Sequence, residues 1–350
     1  KEGIGMKTVA IIIARMGSTR LPGKVLKSLL EKPVLEWVTQ AAFATVGVDD
    51  VVVATTTEPA DDLIAAWCTQ EGINCYRGSQ DDVLSRFHRA ADAFGAEIAI
   101  RITADCPFID PEVLGAVIRL QKLTGCAYAS NIDPRTWPDG LDVEVIRMDA
   151  LEAAAEEATR LIDRECVTTW IQRNRSRFPA EAVVSPVPGL HKERWVLDTE
   201  DDYRFCQAIS EQMTYCPPSY LDILNILDAN PLLRNINAHH PTNERFYDAL
   251  AKEKVYPRSF SRSQKALEKA EKIIPLGAQT FSKSKLQFPT PSPLFISHGQ
   301  GGLCWDIDGN EYVDLVSALL PVILGHRDHE VDAAVRRQLS SGISFSLSHE

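Results

Sequence analysis

Three cations, two hydroxyls and two glycines follow directly on an apolar run near the start of this chain. Val9–Ile13 leads into Ala14-Arg15-Met16-Gly17-Ser18-Thr19-Arg20-Leu21-Pro22-Gly23-Lys24. A strand that ends in such a loop is built to hold a phosphorylated ligand. Glycine lets the backbone approach phosphate oxygens, amides and hydroxyls donate to them, and Arg15, Arg20 and Lys24 offset their charge. The loop matches neither G-x-x-x-x-G-K-[ST] nor G-x-G-x-x-G, which sets aside an ordinary P-loop or dinucleotide site. Two aspartates follow apolar segments further on: Asp105 lies three residues beyond Ile98–Ile102, and Asp198 directly follows Arg194–Leu197. Each has a plain alternative as a helix N-cap or turn residue. Arg20 and Lys24 have one as surface ion-pair partners. In Asp139-Gly140-Leu141-Asp142-Val143-Glu144 the polar and apolar residues alternate, which puts Asp142 and Glu144 on one face of a strand. That pair suits recognition of hydroxyls or a second metal, or it belongs to a solvent-facing antiparallel strand.

The elements that must position these groups read as a β/α alternation. Val9–Ile13, Asp50–Ala54, Asn74–Tyr76 and Glu97–Ile102 are expected strands; helices are expected near Pro33–Ala44, Pro59–Gln70 and Asp81–Phe94. Such alternation implies an α/β fold with a doubly wound, mostly parallel sheet. A turn-rich stretch at Asn131–Gly140 precedes a strand at Leu141–Ile146, two helices, a last strand at Arg194–Leu197, and helices near Thr199–Met213 and Tyr220–Asp228. The net charge of −11 argues against nucleic acid as a partner. A cationic loop in an acidic chain is therefore a local anion site. The eight cysteines include no C-x-x-C pair, which suits free thiols in a reducing, cytoplasmic setting. No apolar run approaches the roughly 20 residues that span a bilayer, so no membrane partner is expected. Met6 is the expected start, with Lys1–Gly5 outside the fold.

The loop from Ala14 to Lys24 resembles the signature of the acidic-sugar cytidylyltransferases. Further motifs follow in that family's order: Arg77-Gly78-Ser79 with Asp81-Asp82-Val83-Leu84, Arg101-Ile102-Thr103-Ala104-Asp105-Cys106-Pro107, Asp139 to Glu144, and Asp198-Thr199-Glu200-Asp201. The resemblance covers about residues 6–256 and is closest to the spore-coat-polysaccharide branch. It implies a Rossmann-like sheet of the nucleotide-diphospho-sugar transferase type and transfer of CMP from CTP to a sugar, releasing pyrophosphate, for surface glycan biosynthesis. It implies Mg2+ on Asp105 and Asp198, with Arg15, Lys24 and Asp105 catalytic. CTP is expected on Arg15, Ser18, Arg20, Lys24, Ala54, Thr55, Arg77 and Asp81, although Asp81 serves equally well as a helix start. The sugar, an acidic or amino-modified ulosonic acid, is expected at Arg101, Asp142, Glu144 and Arg164, the arginines relieving repulsion between carboxylates and an acidic substrate. A homodimer is also implied. The competing reading within the same fold is a glycosyltransferase that uses a ready-made nucleotide sugar.

Composition shifts after residue 242. Residues 243–258 read as a family tail and linker, and 259–350 as a small incomplete α+β segment. Ile274-Pro275-Leu276-Gly277, Pro293-Leu294-Phe295-Ile296, Leu303-Cys304-Trp305-Asp306-Ile307-Asp308-Gly309-Asn310-Glu311-Tyr312 and Ile323-Leu324-Gly325-His326 resemble the N-terminal part of a class III aminotransferase of the glutamate-1-semialdehyde aminomutase type. Pyridoxal phosphate needs a Schiff-base lysine, a carboxylate for its ring nitrogen and a phosphate cup. No lysine follows Lys285, so transamination and functional PLP are expected only of a longer bifunctional parent. The segment's alternative role is dimerisation alone. Asp306-x-Asp308-Gly309-Asn310 lacks the spacing of a calcium loop and is expected to be a hairpin turn. His326-x-x-His329 lacks a third ligand, and His239-His240 is read as a linker pair without function.

Overall fold

The apolar run becomes β1 (Thr8–Ile13) and is buried on both faces, as a continuous hydrophobic strand of a parallel sheet should be. Ala10 and Ile12 join one core cluster, Val9 and Ile11 the other. In the computed structural model, residues 6–213, 215–242, 259–288, 292, 294–316 and 322–342 are described. Residues 1–5, the expected linker at 243–258, and Pro293 lie outside them. The chain divides into two units, Lys1–Gln172 with Phe178–Glu253, and Arg173–Arg177 with Lys254–Glu350.

In the first unit β1 is followed by a small ribbon, β2 (Ser28–Leu29) and β3 (Lys32–Pro33), then α1 (Val34–Ala44), β4 (Asp50–Thr56), α2 (Asp62–Glu71), β5 (Asn74–Gly78), α3 (Val83–Ala93), β6 (Ile98–Thr103) and α4 (Pro111–Thr124). After these come β7 (Tyr128–Ser130), β8 (Glu144–Arg147), α5 (Met148–Glu157), α6 (Leu161–Cys166), α7 (Thr169–Arg173), β9 (Ala180–Ala182), α8 (Glu200–Ser210) and α9 (Tyr220–Ala229). Seven strands form one sheet in the order β5-β4-β1-β6-β8-β7-β9. The four strands expected from the sequence run parallel, and β8 is antiparallel to both its neighbours. Helices α1, α2 and α4 cover one face through Leu35, Val38, Ile64, Leu114 and Val117. Helices α3 and α5 cover the other through Leu84, Phe87, Ala90 and Leu151. Among the described residues no helix is long and apolar enough to cross a membrane.

The strand order reverses at β1, which lies between β4 and β6. The loops after β1 and β6 therefore leave the same edge of the sheet side by side, where open α/β sheets bind ligands. Ile13 is in register with Thr103, and the Ala104 amide donates to the Ile13 carbonyl at 3.0 Å.

The later part of the unit departs from the sequence expectation. The expected last strand at Arg194–Leu197 forms no ladder: Arg194 makes a single bridge to Asp139. The segment is held instead by Trp195 N–H to Asp139 O (2.7 Å) and Leu197 N–H to Asp105 O (2.8 Å). The expected strand at 141–146 starts only at Glu144, three helices rather than two follow it, and three-residue β7 and β9 extend the sheet. Strands that short carry too little periodicity to read.

Gly140 explains part of this. Its φ is +113°, and an added Cβ would stand 2.5 Å from Trp195 C and Val196 N. Both the left-handed backbone and the close approach require glycine. Gly140→Ala is expected to cost roughly 2–4 kcal/mol, combining backbone strain with overpacking. A urea midpoint unchanged from wild type would refute this.

A third core cluster packs α8 and α9 against this segment through Trp195, Leu197, Phe205, Ile223 and Leu227. The second unit, by itself, has α10 (Ser261–Ala270), a three-stranded meander of β10 (Ile296–Gln300), β11 (Leu303–Asp306) and β12 (Glu311–Val313), and α11 (His329–Leu339). Asp306 closes the expected hairpin turn: its carboxylate accepts from the amides of Asp308 and Asn310, the Asn310 side chain and the Tyr312 hydroxyl. His326 is paired with Asp314 at 2.7 Å.

Candidate active site

Lys24 is the centre of the site. Gly23, at φ +69°, turns the chain into the short helical turn Lys24–Leu26 and drives the lysine side chain inward. It is only 7% exposed. Its ammonium lies 2.5 Å from Asp105 Oδ2 and 2.5 Å from Asp198 Oδ1. Burial disfavours the ammonium charge, and the two carboxylates more than offset it, so the pKa of Lys24 is held above its ordinary value. The two aspartates, 93 positions apart by number, thus converge on one cation. Arg20 donates to the other oxygen of Asp198 at 2.8 Å.

The loop between them is held open by local bonds. Met16 N–H donates to Asp61 Oδ1 at 2.6 Å, and Thr56 donates its hydroxyl to the same carboxylate. Leu21 N–H donates to Ser18 Oγ at 3.2 Å, and Gly23 N–H to Met16 O at 3.1 Å. Gly17 is exposed, and a Cβ there would meet nothing within 4 Å. Arg15, half-buried, opens the loop directly after β1.

Behind Asp198 stands Arg194, a residue that sequence reasoning placed only in a strand. Its side chain is 3% exposed and donates twice to Asp202, at 2.9 Å each, and once to Asp139 at 3.3 Å. Asp202, fully buried, accepts from the backbone amides of Asp198 (3.1 Å) and Thr199 (3.0 Å) and so orients the start of α8. Burial alone would raise the Asp202 carboxyl; hydrogen bonds from Arg194 and the guanidinium charge outweigh it and hold its pKa below the usual carboxylate value. Thr199 forms the N-cap box of α8 with Asp202. Asp198, the residue before that cap, is left to face Lys24 and Arg20.

Several expected site residues lie elsewhere or do other work. Ala54 and Thr55 are inside β4, and their side chains have no exposure. Arg77 is anchored on Thr56 O (2.8 Å), Glu58 O (3.1 Å) and Asp62 (2.7 Å). The helix-start role falls to Asp82, which accepts from Ser85 N–H at 2.9 Å, while Asp81 is exposed. Arg164 clamps Asp82 and the Ala155 carbonyl, and none of its described partners is Asp142 or Glu144.

Asp142 and Glu144 do not act as a pair. Glu144 is 1% exposed, with one oxygen taken by Arg101 and the other by Tyr128 (2.7 Å) and Thr168 (2.5 Å). It lies in β8, in the interior of the sheet, so neither it nor a solvent-facing strand remains for sugar hydroxyls. The Glu144 carboxylate offsets the burial of Arg101 and holds that guanidinium firmly charged. Asp142 precedes the strand and accepts a two-pronged bond from Arg135, 2.8 Å on each arm. Burial pushes the Cys106 thiol well up, and the charges of Asp105, Asp142 and Asp139 add to the shift. Asp139 belongs to a motif noted in the sequence, whereas Arg135 and Arg194 carry no local signal.

Residues 9–254 match the family described as Cytidylyltransferase, and residues 287–349 match the one described as Aminotransferase class-III. An uncharacterized protein of Methanocaldococcus jannaschii is 32% identical over 236 residues, 67% of this chain and 96% of the relative. The spore coat polysaccharide biosynthesis protein SpsF of Bacillus subtilis is 32% identical over 228 residues, 63% of this chain and 94% of its own. A solved cytidylyltransferase from Leptospira borgpetersenii superposes with a TM-score of 0.63 at 26% identity, covering 68% of this chain and all of that one. Glutamate-1-semialdehyde 2,1-aminomutase 1 of Staphylococcus epidermidis is 40% identical over 90 residues, 26% of this chain and only 21% of the aminomutase.

Proposed function

The chain belongs to the cytidylyltransferase family and is a nucleotidyltransferase, and from that premise we propose that it transfers CMP from CTP to an acidic or amino-modified sugar. The observation that carries this reading is the convergence of Asp105 and Asp198 on the Lys24 ammonium at the edge of β1 and β6. A sugar hydroxyl oxygen attacks the α-phosphorus in line and loses its proton to solvent, the bond from that phosphorus to the α,β-bridging oxygen breaks, and pyrophosphate leaves with the electron pair. Such a reaction needs positioning and charge neutralisation more than covalent chemistry from the protein.

The residues divide that work. Arg15, Arg20 and Lys24 bind and orient the triphosphate, with the exposed loop at Gly17 and Ser18 supplying backbone approach and donors. Lys24 is the cation nearest the two carboxylates and is kept charged by them. The two converging carboxylates form a hard oxygen donor set that already gathers one cation, which fits Mg2+. Asp105 and Asp198 would hold the ion, and its chemistry there is to neutralise the triphosphate charge. Arg135, next to Asp142, offers the cation that an acidic sugar carboxylate requires. The aminotransferase-like segment favours an acceptor that carries an amine. The glycosyltransferase alternative gives way to the nucleotidyltransferase family.

Calorimetry of CTP, UTP, GTP and ATP on the full chain, with and without magnesium, tests the proposal. Tight binding confined to CTP and strengthened by magnesium is expected. Preference for another triphosphate would overturn the cytidylyl assignment, and absence of any triphosphate binding would overturn the role of the Arg15–Lys24 loop.

A further inference from the structure

We infer that Asp201, His239 and His240 form a binding site for a divalent transition ion of the zinc class, separate from the Asp105–Asp198 pair. His239 and His240 are not in a linker: they lie against the first turn of α8. His239 Nε2 stands 3.3 Å and His240 Nε2 3.2 Å from the same oxygen, Asp201 Oδ2. The ligand atoms of the three residues all lie within 4.8 Å of one another. Ligand atoms around one zinc ion stand about 3–4 Å apart, given bonds of about 2.0–2.2 Å, so only a small contraction is needed.

Residues 237–240 form a turn, closed by His240 N–H to Asn237 O at 3.1 Å. The turn brings the two imidazole ring centroids to 4.1 Å from one another. Two imidazole nitrogens, which are borderline donors, beside one hard carboxylate oxygen select zinc, cobalt or nickel over magnesium. Three protein ligands leave room for water on the exposed side, where the His239 side chain is 61% exposed. The second oxygen of Asp201 takes a 3.4 Å contact from Arg204, and His240 Nε2 is also 3.3 Å from the Thr199 hydroxyl.

The supports of the cluster are rigid. Asp201 is in a helix whose N-cap box is complete. The loop carrying the histidines is tied down on both sides. Asn237, 2% exposed, donates to Arg194 O (3.0 Å) and Asp202 Oδ1 (2.9 Å), and Arg194 donates to Pro241 O (3.0 Å). Ligands held by such outer bonds bind metal with little reorganisation. A bound ion would pin residues 239–240 to α8 beside the Arg194–Asp202 pair that backs Asp198.

The test is zinc titration of the full chain after chelator treatment, with cobalt as the spectroscopic probe. One equivalent of zinc per chain is expected, with a rise in melting temperature. His239→Ala, at an exposed side chain, and Asp201→Asn should each weaken zinc binding about 10²-fold or more, and both should lose the thermal shift. The cobalt spectrum should lack sulfur-to-metal charge transfer, since the free cysteines are not among the three ligands. Asp105→Asn should leave zinc affinity unchanged. Zinc affinity unaltered in His239→Ala and Asp201→Asn, a thiolate signature in the cobalt spectrum, or loss of zinc in Asp105→Asn would each overturn the site.

Discussion

Asp105→Asn is expected to lower the turnover of CTP about 10²–10³-fold, the scale of losing one strong transition-state contact. Asparagine keeps the shape of the side chain but not its charge, so Lys24 keeps only Asp198 as its carboxylate partner of the pair, and a divalent ion keeps one anionic ligand. Folding should be little changed. The main-chain bond at this position, Leu197 N–H to Asp105 O, does not depend on the side chain. Pyrophosphate release measured beside a thermal melt separates the two effects. Near-normal turnover with an unchanged melt would remove Asp105 from the reaction.

Arg194→Met should lower stability by about 3–5 kcal/mol, because it strands a buried partner charge. Asp202 has no exposure and Arg194 only 5%. Methionine fills much of the volume but leaves the Asp202 carboxylate without its two guanidinium bonds. The pH dependence follows from the depressed pKa of Asp202. A carboxyl whose folded pKa lies below its unfolded value contributes stability above the unfolded value, and that contribution is lost as pH falls through the folded one. The gap between wild type and variant should therefore be full at neutral pH. It should narrow on acidification below about pH 4, where the wild type gives up the same contribution. Denaturant unfolding at several pH values measures this; a gap of less than about 1 kcal/mol at pH 7 would mean that the pair is no net support.

The parallel core of the fold was legible because its signals are local. Val9–Ile13, Asp50–Ala54 and Glu97–Ile102 are short apolar runs punctuated by turn residues, and each became a strand with boundaries shifted by a residue or two. The Arg15–Lys24 loop was legible for the same reason, since its cations, glycines and hydroxyls lie within ten positions. Arg194–Leu197 read as a strand because it is apolar, yet it is an extended segment sealed by Gly140 and Trp195 packing. Glu144 read as a site residue because alternation reveals which side chains share a face, but not whether that face meets solvent or another strand.

By itself the amino-acid sequence determined the β/α order, the cationic loop after β1, and the position of Asp105 shortly after β6. These depend on neighbours within a dozen residues, where backbone geometry leaves few choices. Only the tertiary structure decided that Asp198 meets Asp105 across Lys24, that Arg194 and Asp202 stand behind Asp198, and that His239 and His240 turn onto Asp201. The pairings of Lys24 with Asp105 and Asp198, and of the two histidines with Asp201, span about 40 to 170 positions and cost loop-closure entropy whichever partners are chosen. What selects them is the packing of Trp195, Leu197, Phe205 and their neighbours into the third core cluster, a choice made by shape and burial that no local spacing records.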